Sequence, residues 1–542
     1  MWKWKFSRWL SNNIFAKIFA KFKAHRKHSN KIRLIFLTYL IIVIVSSLLL
    51  MSPITHQKIN SSWGNVNFID ALFTASSAFS DTGLTSLNTY KTWNIFGQSL
   101  ISILILIGGL GVFALKIYII NILFFGKLKI SLNALNIVDS ERSSNDIGKG
   151  TREVIIDSIS TLLIIMLIGA VGLSFYFYLA EPRNLFISQT KIIDPETNLS
   201  LSKSLYYNFV GDFINPKGNW SLSFRFGFFH AISALNNAGF DIIGNSSLMP
   251  YYHNIELQFF FLILFFIGGI GYPVIHDIIN FFRFKIKHPS RKYHWKLLTK
   301  LSLISYLLAS LIGAILVVTF EILAKNGFWW TNSNEINKIT EERFFGNNAE
   351  KTWALIFSVF STRSAGFATI PINHLSDSSL VVLSILMFIG AGPSSTGGGI
   401  RTTTFAIITI SIFSRILGRP SVRAFHRKID NNTVKNSYTV FLTGIVLLII
   451  TSLVISSSSA NYFGNVPANT HFSNYLFEAS SAFGTTGITA GISANSNILS
   501  KIFLIIIMFI GQLGISSTIL IWGKRRNYSY KYEYVPENVP IG

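Results

Sequence analysis

Two short motifs occur four times each, always in the same order, and they restrict the fold more than any other feature of the chain. The first is a run of small and apolar residues followed by a glycine. It occupies 73–79 before Gly83, 229–235 before Gly239, 356–362 before Gly366 and 477–483 before Gly487, with the third copy the weakest. The glycine stands at the same offset from the run in all four. The second motif, roughly 25 residues further on, is a glycine cluster set in an apolar segment, a distance that fits one loop and most of a membrane crossing. Its copies are Ile107-Gly108-Gly109-Leu110-Gly111, Ile267-Gly268-Gly269-Ile270-Gly271, Ile389-Gly390-Ala391-Gly392 and Ile510-Gly511-Gln512-Leu513-Gly514. Glycine clusters alone are common where membrane helices pack. Two motifs recurring four times in one order mark an internal repeat.

Each repeat reads as a long apolar helix, a short segment and a second long apolar helix. The first helices cover 34–52, 154–180, 297–324 and 437–457; the second cover 98–125, 256–283, 379–415 and 498–523. The short segments cannot span the hydrocarbon core and fit re-entrant pore helices. The expected fold is an all-α integral membrane protein: four helix–re-entrant helix–helix units around a single pore, with eight crossings. Its parts are a basic N-terminus (1–33), repeat one (34–125), repeat two (154–283), repeat three (297–415), repeat four (437–523) and a tail (524–542). Repeat three carries an intramembrane loop over 390–404.

Composition agrees, because 50% of residues are hydrophobic, mean hydropathy is +0.45 and only 13% are charged. A soluble chain carries about 25% charged residues. There is no cysteine, which excludes disulfides and thiol-bound metals. Acids and histidines are sparse within the helices, which argues against a membrane-embedded enzyme, and no catalytic residues are assigned. No phosphate-binding G-x-x-x-x-G-K-[ST] run exists, which argues against a primary pump.

The net charge of +23 is concentrated in the N-terminal segment, 283–300, 415–428 and the residues after Trp522, while the loops 181–220 and 325–351 mix both signs. This is the positive-inside pattern. It predicts a multi-pass protein of the plasma (cell inner) membrane with both termini cytoplasmic, and it argues against a nucleic-acid partner. In the N-terminal segment Trp2, Phe6, Trp9, Leu10, Ile14 and Ile18 recur at helical spacing between Lys3, Lys5, Lys17 and Lys21. That pattern fits an interfacial helix drawn to anionic lipids.

Irregular backbone at membrane depth survives only where it lines protein or water. Pore helices point partly negative C-termini inward, and the carbonyls that follow can replace the water around a cation. The candidate filter is Thr82-Gly83-Leu84, Ala238-Gly239-Phe240, Ala365-Gly366-Phe367 and Thr486-Gly487-Ile488. Backbone carbonyls of Gly83, Gly239, Gly366 and Gly487 are the candidate ligands of a transported cation. These segments hold no ring of acids, which favours a monovalent cation. Asp81 is the one acid there and either tunes the local field or hydrogen-bonds the loop. Apolar continuity fails only once inside a spanning segment. Gly392, Pro393, Ser394, Ser395, Thr396, Gly397, Gly398 and Gly399 break the helix and are candidates for a gate.

Other residues carry readings of their own. Arg363 either braces the third filter segment by pairing with an acid such as Glu478 or Asp241, or sets a barrier at the outer mouth. Lys116 fits snorkelling at a helix end. His276-Asp277 fits a solvated helix end better than a proton shuttle. His230 and Glu478 occupy equivalent positions in their pore helices. Glu478 and Asp70 read as caps that satisfy exposed N–H groups.

The runs Ser80-Asp81-Thr82-Gly83-Leu84-Thr85, Ala234-Leu235-Asn236-Asn237-Ala238-Gly239-Phe240, Thr362-Arg363-Ser364-Ala365-Gly366-Phe367 and Ala482-Phe483-Gly484-Thr485-Thr486-Gly487-Ile488 resemble the ion-pore subunits of the Trk/Ktr/HKT potassium transporters. The similarity is closest to the bacterial Ktr type, extends over about 34–524, and includes the glycine-rich run 390–404. It implies potassium uptake through a four-repeat filter, a homodimeric membrane part and a cytosolic ring of nucleotide-binding regulatory subunits. Plant members with serine for the first filter glycine have a sodium-selective design, so four glycines favour potassium. Sodium-permeable or sodium-coupled transport is the alternative. One departure stands out. The family carries an arginine just after the glycine matched by Gly511, facing the gate, where this chain has Gln512; Arg401 or Lys116 could compensate.

Overall fold

The computed structural model describes residues 31–59, 62–63, 66–123, 151–183, 213–244, 246–324, 328–330, 345–461 and 470–515. The N-terminal segment 1–30, the end of the last crossing (516–523) and the tail 524–542 lie outside the described residues.

Four helices are each long and apolar enough to cross a membrane: α1 (Lys31–Met51), α5 (Thr151–Leu179), α9 (Leu297–Leu323) and α13 (Asn431–Asn461). Each opens one repeat. Their bare flanks are aliphatic, as with Leu48 on α1, Ile168 on α5, Ile315 on α9 and Leu442 on α13. Such flanks suit hydrocarbon and are costly in water. Four shorter, mostly buried helices follow: α2 (Phe68–Phe79), α6 (Trp220–Leu235), α10 (Asn348–Ser361) and α14 (Phe472–Gly484). At 1.5 Å per residue none spans a ~30 Å core.

The second helix of each repeat is where sequence and structure part. Repeat one has α3 (Ile95–Leu110) and α4 (Val112–Leu123), bent by 91°. Repeat two has α7 (Ile255–Gly269) and α8 (Tyr272–Lys287), bent by 100°. Repeat three has α11 (Asp377–Phe388) and α12 (Thr402–Ile416), separated by 389–401. In repeat four α15 (Ile498–Leu513) stops at Gly514. Straight crossings over 98–125 and 256–283 are therefore corrected, and so is the reading that continuity fails only once. The cause is the last glycine of each motif. Gly111, Gly271 and Gly514 have φ of +83°, +89° and +83°, a region that glycine alone enters at little cost. Apolar content is blind to such a bend.

Packing closes the repeats into a ring. Each opening helix packs on its own pore helix (α1 on α2, α5 on α6, α9 on α10, α13 on α14). Each second helix also packs on the pore helix of the next repeat: α3 on α6, α7 on α10, α11 on α14, and α15 back on α2. The first glycine of the second motif permits the approach within a repeat. A Cβ at Gly108 would lie 2.0 Å from the Phe79 carbonyl oxygen, one at Gly268 1.8 Å from that of Leu235, and one at Gly511 2.0 Å from that of Phe483. No side chain fits at those distances.

Two small hairpins lie between these helices, Lys58–Ile59 with Ser62–Trp63 (β1, β2) and Arg423–Ala424 with Arg427–Lys428 (β3, β4). The second turns through Phe425 and His426, both at positive φ, as a two-residue hairpin turn requires.

Candidate functional site

The ring packing brings the C-terminal ends of all four pore helices to one place, and there one backbone turn is made four times. Gly83, Gly239, Gly366 and Gly487 have φ of +86°, +68°, +82° and +89°. Two residues before each glycine a non-glycine residue is also left-handed: Asp81, Asn237, Ser364 and Thr485. The turn is held from the helix. Thr82, Ala238 and Thr486 donate backbone N–H to the carbonyls of Ser77, Ser233 and Ser481 at 2.8, 2.8 and 2.9 Å. In repeat three Ala365 donates to Ser361 at 2.8 Å, one residue tighter. Serine hydroxyls complete the support, Ser233 to the Phe240 carbonyl at 2.7 Å and Ser361 to that of Phe367 at 2.6 Å. These serines escaped the sequence reading, although they recur in the small-residue runs that define the repeat.

The four glycines meet. A Cβ at Gly83 would lie 3.1 Å from the Gly239 Cα, one at Gly239 2.8 Å from the Gly366 Cα, and one at Gly487 2.8 Å from the Gly83 Cα. One at Gly366 would lie 2.0 Å from the Thr486 carbonyl oxygen. The four glycines and the carbonyls of Thr82, Ala238, Ala365 and Thr486 are thus brought together around one centre, while Leu84, Phe240, Phe367 and Ile488 pack into the surrounding apolar clusters.

On one side of the glycines opens a vestibule of ≈ 290 Å³, lined by all four of them and by Thr85, Asn88, Asp241, Ser246 and Thr489 among others. Among the described residues Asp241 is its single ionisable lining residue. On the opposite side the segment between α11 and α12 sits against the residues that precede the glycines. Thr396 Oγ1 lies 3.1 Å from the Asn237 carboxamide, and the Gly398 N–H donates to Thr485 Oγ1 at 2.7 Å. A Cβ at Gly397 would touch Ser364 at 2.6 Å. The segment is anchored to α7 by Gly392 N–H to the Gly269 carbonyl at 2.9 Å, and to α8 by Tyr272 N–H to that of Ser394 at 3.2 Å.

Gln512 links this segment to the first turn. Its Nε2 donates to Asp81 Oδ2 at 3.2 Å and to the Thr396 carbonyl at 3.3 Å. Of the two roles open to Asp81, the hydrogen bond is present. Arg401, at the N-terminus of α12, donates to the Gly397 carbonyl and reaches the Gln512 carbonyl at 3.5 Å. Lys116 is exposed on α4 and makes no such contact.

Arg363 does brace its turn, but not through an acid. It is buried, lies over the Tyr306 ring at 5.0 Å and donates to the carbonyls of Leu386 at 3.0 Å, Ile389, and Gly390 at 3.0 Å. These carbonyls lie at the C-terminal end of α11, where a helix leaves acceptors unfilled and favours a cation. Pairing with Glu478 or Asp241 is therefore corrected. Glu478 serves its own repeat: it accepts from Thr489 Oγ1 at 2.8 Å and from the N–H groups of Ala490 and Ser493 at 3.0 Å each. It satisfies exposed N–H groups, as expected, but those of the loop after the turn and of the short helix Ile492–Asn495 that follows, and does not cap its own pore helix. Asp70 is likewise no cap; it pairs with Lys501 of α15 at 2.8 Å. His230 donates Nδ1–H to the Phe226 carbonyl at 2.7 Å within an aromatic cage of Phe177, Phe226, Phe229 and Phe261. His276 and Asp277 are buried and bonded rather than solvated.

A closed fourfold ring of apolar helices with a backbone-lined centre defines an integral membrane cation transporter. The chain belongs to the TrkH family of cation transport proteins, whose pattern matches residues 6–527. It is 33% identical to an uncharacterized cation transporter of Mycoplasma genitalium over 94% of this chain and 96% of that one. It is 32% identical to the Ktr system potassium uptake protein D of Bacillus subtilis, over 94% of this chain and 97% of the relative. A potassium/sodium uptake protein of Enterococcus hirae is 30% identical, over 96% and 99%. The fold is similar to the crystal structure of the potassium transporter TrkH from Vibrio parahaemolyticus, with a TM-score of 0.56, 13% identity, and coverage of 92% of this chain and 86% of that one. These relatives are named as transporters, not as enzymes.

Proposed function

We propose that the protein takes up potassium through a filter formed by the Gly83, Gly239, Gly366 and Gly487 turns, gated by 392–399 with Arg401 and Gln512. The observation that carries this reading is the same left-handed turn made four times around one centre, between a vestibule and a polar segment. Left-handed backbone exposes carbonyls that a helix would consume, and such carbonyls can replace a cation's water shell. Potassium as cargo is supported by the names of the Ktr relatives. A second reading, a sodium-permeable pore, is favoured by the relative named for potassium and sodium uptake.

The same proposal places the protein in the plasma membrane as a homodimer with cytoplasmic termini. Its basic loop 415–428 would dock a cytosolic nucleotide-binding subunit, with 283–300 contributing only where it does not face the membrane. The word "system" in the names of the Ktr relatives supports such a partner.

Gly239→Ser tests the filter in proteoliposomes. A Cβ there would meet the Gly366 Cα and the carbonyls of Ala365 and Thr486 within 2.8–3.1 Å. The expected outcome is at least about a tenfold loss of potassium-over-sodium preference, the 1.4 kcal/mol scale of one displaced backbone contact. Unchanged ion preference in a folded variant would refute the single filter. Wild-type vesicles passing sodium and potassium equally would support the second reading.

A further inference from the structure

α8 does not run with the membrane helices. It leaves α7 at 100°, so a span along the membrane normal hands over to a helix lying across it. Its depth is fixed on both sides. Asp277 Oδ2 accepts from Thr299 Oγ1 at 2.6 Å and from the Lys296 N–H at 3.2 Å, at the first turn of α9. Asp157, in the second turn of α5, accepts from Arg283 at 2.8 Å and contacts His276 Nδ1 at 3.0 Å. Both α5 and α9 begin on this side, so α8 lies in the plane of one membrane face. That face carries the basic loop 288–296.

An apolar stripe runs the length of α8 through Ile275, Ile278, Ile279, Phe282 and Ile286, at helical spacings of three and four. It starts buried and ends bare: Phe282 is 60% and Ile286 81% exposed, the latter more than any other large apolar side chain among the described residues. Beside the bare end stand Lys287, Arg291 and Lys292, all exposed, and 284–300 contains no acidic residue. Phe281 stacks on Trp295 at 4.9 Å, and Tyr293 packs on both. Tyr and Trp at such a level are typical of the headgroup region. Tyr293 also donates its hydroxyl to Asp277 Oδ1 at 2.7 Å, holding the loop on the helix. Burial, then the bond to Asp277 and its charge, push that phenol up to about 12.

We propose that the end of α8 and the loop 288–296 form a binding site for anionic phospholipid. Phe282 and Ile286 enter the acyl boundary, and Lys287, Arg291 and Lys292 meet the headgroup phosphates. The other end of α8 touches the segment between α11 and α12. Tyr272 N–H bonds the Ser394 carbonyl at 3.2 Å, and a Cβ at Gly271 would lie 2.1 Å from the Pro393 carbonyl oxygen. Lipid at one end therefore biases the position of that segment at the other. This last step rests on the proposed gate; the lipid site does not.

The chain has no cysteine, so Ile286→Cys carrying a bimane label reports on one place. The protein is reconstituted in phosphatidylcholine alone or with phosphatidylglycerol, with a nitroxide lipid of shallow depth as quencher. The label is expected to be quenched by the nitroxide. Potassium flux is expected to differ about tenfold between the two lipid mixtures, the scale of one or two basic contacts. The triple variant K287Q/R291Q/K292Q loses that difference, and soluble glycerophosphate does not replace the lipid. An unquenched label overturns the site. So does quenching that follows the labelled fraction rather than the nitroxide, because that reports a second copy on this face. A triple variant that keeps the full lipid response also overturns it. Flux that is equal in both mixtures, with the label quenched, overturns the coupling. Absence of flux in every lipid counts against the pore reading, and the quenching then decides the lipid site alone.

Discussion

The second helices of repeats two and three both break at the glycine cluster, and they break differently. In repeat two the helix stops at Gly269 and restarts at Tyr272, turning through Gly271 at φ +89°. The backbone is bent, yet Gly268 stays against its own pore helix. In repeat three the helix stops at Phe388 and resumes only at Thr402. Here Gly390 faces the Gly398 carbonyl of its own loop, with a Cβ-to-oxygen distance of 1.8 Å, and Arg363 fills the exposed carbonyls at the helix end. A one-residue bend redirects a helix. A long break frees a run of peptide groups that must find partners, because lipid offers none. Those of 390–401 find them on α7, on Tyr272, Thr485 and Gln512 of the other repeats and within the loop itself, which sets this run against the residues that precede the four glycines.

The largest effect that sharpens this contrast comes from removing the run. Deleting 392–398 is expected to raise unregulated flux at least about tenfold in proteoliposomes, the size of a ~1.4 kcal/mol closed-state bias. Ion preference, which the proposed function assigns to the four glycines, is expected to stay. Flux that falls would make the long break a packed kink, no different in kind from the bend at Gly271.

A smaller effect separates the two bends that look alike. Gly111→Ala and Gly271→Ala both put a Cβ on left-handed backbone, at φ +83° and +89°, which costs roughly 1–2 kcal/mol. Both are expected to lower the unfolding temperature in detergent by a similar amount. At Gly271 the new carbon presses on the Pro393 carbonyl oxygen, at 2.1 Å. Gly271→Ala is therefore expected to change flux several-fold as well, at the scale of a lost hydrogen bond of about 1 kcal/mol, while Gly111→Ala leaves flux near wild type. Equal flux changes would show that the bend, not its contact with the segment, matters.

The fold class and the four turns were legible because they rest on repetition. A glycine at a constant place after a small-residue run shows in one dimension what the ring shows in three. The bends at Gly111 and Gly271 were hidden, since hydrophobicity reports burial in lipid and not the sign of φ. Long-range partners were hidden for another reason. Arg363 was read as seeking an acid, but a helix end buried without caps offers carbonyls that satisfy a guanidinium as well. Glu478 and Asp70 were read from their own helices, whereas their partners come from a loop after the turn and from α15. His276-Asp277 looked solvated only because nothing in the sequence says that α8 folds back between α5 and α9.

The smallest effect concerns the two ends of one carboxamide. Gln512 Nε2 is shared between Asp81 Oδ2 at 3.2 Å and the Thr396 carbonyl at 3.3 Å. It ties the left-handed turn of repeat one to the segment in repeat three. Both contacts are long, so together they are worth the low end of about 0.5–1.5 kcal/mol. Gln512→Ala is expected to raise basal flux about threefold by that measure. Charge then gives an order that simple packing does not. Gln512→Glu sets a second carboxylate against Asp81 and repels the Thr396 carbonyl, so it is expected to exceed alanine. Gln512→Arg gives Asp81 an opposite charge, keeps a donor for Thr396 and adds a cation beside the pathway, so flux is expected to fall below wild type. The expected order of flux is Glu, Ala, wild type, Arg. If Gln512→Arg instead matches wild type, Arg401, which already donates to the Gly397 carbonyl, supplies the positive charge that the resemblance places at position 512. The order would then collapse to a loss on truncation alone.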